Sequence, residues 1–159
     1  MPDIITITEM TESFDALALL LAEVDLSAGK PKLVQQDFFD VPDIAELSEK
    51  LPIGMIQFTG AATLTQAQEA RYNYMNIPVT LWYIVETPTN EIISEVLMSN
   101  AVGLANWFNH QTMGDNFDRV FIESMDWSIS NDFNNICSDL EWNVVGVSIS
   151  FTLVKKVLR

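Results

Sequence analysis

The stretch WNVVGVSISFTLV, from Trp142 to Val154, decides the fold. Val145, Val147, Ile149, Phe151 and Leu153 alternate there with Gly146, Ser148, Ser150, Thr152 and Val154. Such a period of two marks a strand with one apolar face buried and one small, polar face turned outward. A smooth face rich in hydroxyls suits close packing on another copy better than it suits chemistry. Ser148 and Ser150, flanked by Gly146 and Thr152, are therefore candidate subunit contacts.

Working outward, the last strand is expected over Asp139–Val157 and a preceding one over Arg119–Ser130, with Phe121, Met125, Trp127 and Ile129 on one face. The polar loop Asn131–Ser138 between them is short enough for an antiparallel pair. Upstream, Ile93, Leu97, Ala101, Leu104 and Phe108 recur at helical spacing, which predicts a helix over Glu91–Asn109, the longest in the chain. Thr87-Pro88-Thr89-Asn90 breaks the preceding element and supplies a cap. That element, Tyr72–Glu86, reads as a strand: Ile77, Val79, Leu81, Tyr83 and Val85 share one face, and Thr80, Trp82 and Ile84 the other. Apolar residues on both faces suggest a central strand covered on both sides.

The first half of the chain is less regular. Phe14, Leu17, Leu20, Leu21 and Val24 predict an amphipathic helix over Ile7–Val24. A short extended piece follows at Leu33–Phe38. A short helix is expected from Val41-Pro42-Asp43 to Leu51, closed by Pro52, and a buried strand over Ile53–Gly60. Between Gly60 and Tyr72 lies a polar, alanine-rich connection without a tight-turn signal. Connections of this length in a compact domain tend to be functional, so it reads as an exposed hairpin arm or mobile loop. Its Gln66, Gln68, Glu69 and Arg71 are candidate contacts with a neighbouring subunit. The order of elements lacks regular β-α alternation. It predicts an α+β single domain: an antiparallel-dominated sheet with two main helices packed on one face and an extended arm at about 60–72.

Composition narrows the function classes. With 159 residues and 48% hydrophobic content the chain suffices for one domain with a real core. No apolar run is long enough to span a bilayer and no secretory leader is apparent, so the expectation is a cytoplasmic product with no membrane association. The net charge of −14 lacks the basic footprint that nucleic-acid binding requires. Residues 1–50 hold eleven acids against Lys30, Lys32 and Lys50. The acids of the first helix or of Asp37–Glu49 are expected to face a lumen or a basic partner, although solubility alone also accounts for them.

Catalytic chemistry finds little support. His110 at the end of the long helix has no evident nucleophile, and Cys137 sits in no recognisable nucleophile setting. A single cysteine excludes an internal disulfide framework. Asp115-Asn116-Phe117-Asp118 invites a calcium reading, but the ligand spacing of a calcium loop is not met. The six glycines are scattered rather than gathered in a phosphate loop. Trp82, Trp107, Trp127 and Trp142 suit core or interface packing better than a ligand pocket. The sequence points to no enzyme, no metal and no cofactor.

The acidic first helix, the arm, the strand Tyr72–Glu86, the helix Glu91–Asn109, the strand Arg119–Ser130 and the closing strand Trp142–Val154 together resemble the tail terminator (tail completion) proteins of long-tailed bacteriophages and related minor tail proteins. The resemblance covers nearly the whole chain and rests on element order. It implies a structural virion protein: a ring, usually a homo-hexamer, seated on the last ring of tail-tube protein. Such a ring stops tube polymerisation and meets the head-side connector protein, while DNA passes through the lumen without specific binding. The family carries no catalytic residues.

Three readings compete with that one. The chain is another neck or head–tail connector protein, or an acidic decoy that mimics DNA and binds a basic host protein. The third alternative is a small-molecule-binding or enzymatic α+β domain with a Trp-lined pocket. A charged fraction of only 19% argues against the decoy.

Overall fold

The computed structural model describes residues 7–36, 49–66, 72–88, 93–109, 112–113, 118–126 and 142–158. The chain runs α1 (Ile7–Ala22), β1 (Leu33–Gln36), β2 (Ile53–Phe58), β3 (Thr63–Gln66), β4 (Tyr72–Pro88), α2 (Ile93–Phe108), β5 (Thr112–Met113), β6 (Asp118–Asp126) and β7 (Trp142–Leu158). These strands form one sheet in the order β1-β2-β4-β7-β6-β5, with β3 also paired to β4. Every pair is antiparallel except β1 with β2. This is the α+β architecture that the sequence predicts.

Its spine is the pair β4 and β7, each of 17 residues and in register from Tyr72–Leu158 to Pro88–Trp142. The alternation decides which side meets the helices. Ile77, Val79, Leu81, Tyr83 and Val85 of β4 lie with Val147, Ile149, Phe151 and Leu153 of β7 in one core, which also holds Leu17 and Leu21 of α1 and Leu97, Ala101, Leu104 and Phe108 of α2. Both helices thus cover the same face. Phe108 stacks on Phe151 with ring centroids 6.5 Å apart. Gly54 of β2 leaves room for Leu21: a Cβ there would stand 2.9 Å from its side chain. The other face is also closed at one end of the sheet, where Ile53, Met55, Ile84 and Ser148 are buried.

The helices are tied to each other by polar contacts. The indole N–H of Trp107 donates to the Leu20 carbonyl at 3.1 Å. Asn100 Oδ1 accepts from the Ser27 amide at 3.1 Å, and Asn100 Nδ2 donates to Ser27 Oγ at 2.9 Å. Tyr83 reaches the same loop, its hydroxyl donating to the Gly29 carbonyl at 2.7 Å. Burial, the largest cause, pushes the Tyr83 phenol up to about 12.

A proline within central β4 looks out of place, because it removes a ladder donor. The Thr59 amide donates to the Pro78 carbonyl at 3.1 Å. In an antiparallel ladder the N–H and C=O of one residue point to the same neighbour. The missing donor of Pro78 therefore falls on the side where the chain departs at Gly60, a left-handed glycine with φ 112°. The edge beside β4 is thus split there, β2 pairing with Val79–Ile84 and β3 with Asn73–Asn76.

Several expectations change in detail. Of the two alternatives for the connection after Gly60, the hairpin arm is the one found, with β3 as its first strand. The helices α1 and α2 are equally long at 16 residues. The turn expected over 110–116 contains the two-residue β5. Strand β6 carries an irregularity between Ile122 and Ser124 that changes its phase. Phe121 consequently pairs with Thr152 and Met125 with Ile149, so the two do not share a face as the unbroken alternation suggests. The short helix expected near 41–51 falls mostly on residues outside those described, as do the loop 131–138 and Trp127.

Candidate functional site

The outward face of β7 is the first surface to test, since the sequence offers Ser148 and Ser150 there as subunit contacts. The structure places both serines largely within the sheet's own contacts. Ser148 is only 6% exposed. Ser150 is half-buried, and its hydroxyl lies 3.0 Å from Thr80 Oγ1 on β4. Thr80 Oγ1 in turn lies 3.3 Å from Thr59 Oγ1, so three hydroxyls form a chain across three segments of the sheet. On the same face Trp82 Nε1 donates to Gln57 Oε1 at 2.8 Å and Thr152 Oγ1 donates to the Glu123 carboxylate. The hydroxyls of Thr59, Thr80, Ser150 and Thr152 and the Trp82 indole N–H are thus bonded to neighbouring segments, which stiffens the sheet. Hydroxyls at alternate positions look solvated in a sequence, and only the register reveals that Thr80 meets Ser150.

The arm is the second surface. Thr63, Leu64 and Thr65 of β3 are all exposed, and Asn76 Nδ2 donates to Thr65 Oγ1 at 2.7 Å to hold the strand on β4. Gln66 ends β3, opposite Asn73. Gln68, Glu69 and Arg71 lie outside the described residues. Gln66 and the two serines are not one site. Asn73 and Thr80, their respective neighbours on β4, stand seven residues apart, roughly 23 Å along a strand.

At the end of the sheet that carries the arm lies a buried polar contact that the sequence pattern does not announce. Lys155 of β7 and Ser13 of α1 are 2% and 3% exposed, with Lys155 Nζ donating to Ser13 Oγ at 2.9 Å. Lys155 continues the buried phase of Ile149, Phe151 and Leu153, and that phase was the available signal. A shallow groove of about 210 Å³ opens nearby between α1 and the sheet, lined by Met10, Thr11, Phe14, Gln36 and Phe58. The rings of Phe14 and Phe58 stand 5.8 Å apart in its wall. Among the described residues its lining holds no acid, base or nucleophile beyond one threonine hydroxyl and one amide.

Electrostatics add little chemistry. Glu12 and Asp15 of α1 and Glu23 just after it are exposed. Lys30 pairs with Glu23 at 2.7 Å, and that hydrogen bond raises the lysine pKa. Among the described residues no group of three or more histidine, cysteine, aspartate or glutamate side chains is placed to hold a metal ion. His110, Cys137 and 115–117 of the acidic cluster lie outside those residues. Among the described residues no helix is long and apolar enough to cross a membrane. Comparison of the chain with protein-family models and with curated protein sequences gave no match.

Proposed function

We propose that this chain is a structural virion protein that assembles into a ring, a homo-hexamer, and caps a bacteriophage tail tube. The ring ends polymerisation of the tail-tube protein and meets the head–tail connector protein, with DNA passing through an acidic lumen that repels it. The observation that carries this reading is the exposed arm: β3 extends the sheet beside β4 beyond the reach of β2 and presents solvent with a strand edge. An element of this kind gains its burial from a neighbour, and a contact between unlike surfaces closes into a ring when the rotation allows. The hydroxyl chain across the sheet and the buried Lys155–Ser13 contact support a structural part over a catalytic one.

Native mass spectrometry and negative-stain microscopy of the purified protein test the proposal. Rings are expected alone or on adding tail-tube protein. A protein that stays monomeric in both conditions refutes it. Deleting residues 62–69 is expected to abolish rings while leaving a folded monomer, as judged by circular dichroism.

A further inference from the structure

Besides β1, two exposed strand edges lie on opposite flanks of the sheet among the described residues. One is β3, which pairs with β4 alone. The other is the second half of β6. Strand β5 pairs only with Asp118 and Arg119, so among the described residues 121–126 have β7 as their sole strand partner. Glu123, Ser124, Met125 and Asp126 are all exposed. Strand edges of this kind are templates for another strand. Resting on the ring reading above, we propose that β3 of one copy adds to the β6 edge of the next copy and continues its sheet.

The two edges match face by face. Leu64, 39% exposed, pairs with Met75 and belongs to the helix-covered side. Met125, 42% exposed, pairs with Ile149 on that same side. Thr63 and Thr65 share the opposite side with Ser124, which pairs with Ser150. Continuing the sheet from β6 into the neighbour's β3 with the helices kept on one side sets Leu64 by Met125. It also sets the threonine hydroxyls by Ser124. On α2, Met98 and Val102 are exposed one turn apart. At 100° per residue they occupy the flank turned away from Trp107, and Trp107 is bonded to α1. That flank overhangs the β6 side, so Leu64 completes an apolar cluster with Met98, Val102 and Met125.

The β6 edge selects its guest. The irregularity at Glu123 and the acids Glu123 and Asp126 discourage long or acidic strands, which guards against indiscriminate pairing. Strand β3 has four residues and no charge, and it fits the regular stretch 124–126. The chain cannot pair β3 with its own β6, because β4 and β7 intervene and three strand spacings amount to about 14 Å.

Cysteine cross-linking in trans tests the contact. In a Cys137→Ser background, Leu64→Cys and Met125→Cys proteins are prepared separately, mixed, and treated with a short bismaleimide. A covalent dimer is expected from the mixture and from neither protein alone, and longer covalent ladders from the chain carrying both substitutions. Leu64→Asp is expected to weaken association at least tenfold. Oligomers by native mass spectrometry with no cross-link and no effect of Leu64→Asp overturn this contact and leave the ring reading standing. A monomer throughout overturns both.

Discussion

Lys155 Nζ donates a hydrogen bond to Ser13 Oγ at 2.9 Å, joining β7 to α1 with both side chains almost wholly buried. A buried ammonium is held by its hydrogen bonds and by the packing of its stem. Ser13→Ala removes one acceptor and is expected to lower stability by about 1–3 kcal/mol. Lys155→Met keeps the stem without the desolvation cost, so it should be milder than Lys155→Ala. Urea midpoints of the three variants check that order, and equal losses for the two lysine variants would contradict it.

Two glycines pack closely, with different consequences. A Cβ on Gly103 meets Leu26 Cδ2 at 2.6 Å, the mobile end of one half-buried side chain. A Cβ on Gly54 meets Leu21 at 2.9 Å and Val34 at 3.2 Å together. Leu26 can rotate aside, and alanine gains about 1 kcal/mol of helix propensity over glycine. Gly103→Ala is therefore expected to be near neutral. Gly54→Ala should cost about 1–3 kcal/mol through overpacking. Thermal melts of both variants measure the contrast.

Tyr83 predicts a loss of stability at high pH. Its folded pKa of about 12 stands above the ordinary 10.0, chiefly through burial. Between those values the unfolded chain gives up the phenolic proton while the folded one keeps it. The contribution is complete below about pH 10 and declines as pH rises through 10 towards 12. Melting temperature across that window should fall more steeply for the native chain than for Tyr83→Phe. Parallel curves would refute the assignment.

Asn100 bridges α2 to the loop after α1 by both ends of its amide. Asn100→Ala leaves the Ser27 amide without this acceptor and is expected to cost about 1–3 kcal/mol. Asn100→Asp keeps an acceptor but loses the donor and places a charge where the side chain is 1% exposed. It should be the worse of the two at pH 7 and improve towards pH 4, which chemical denaturation at the two pH values measures.

What the sequence revealed followed from phase. The alternation through Val147–Leu153, its counterpart in β4 and the stripe of α1 each have one apolar period, and each buries the face it predicts. The misreadings occur where local pattern carries no phase information. At Glu123 one extra residue reverses the sides of β6, and no glycine or proline marks it. Thr63–Gln66 is too short and too polar to announce a strand, and its order comes from Asn73–Asn76. Ser148 looks solvated because serine usually is, yet the far face is closed over it. Of the proposed contacts, Gln66 is on the arm as expected, Ser148 is buried, and Ser150 is hydrogen-bonded within its own sheet.

The long register between β4 and β7 also has a mechanical meaning. Every residue from Tyr72 to Pro88 is matched on β7. A pull applied along the strands, from the arm towards the helix-covered core, loads those ladder bonds side by side, so they must yield together. A pull across the strands opens them one after another from an end. The sheet is therefore stiff along its length and weak at right angles to it. Single-molecule stretching through cysteines at opposite ends of β4 and β7 should need more force than stretching through adjacent ends.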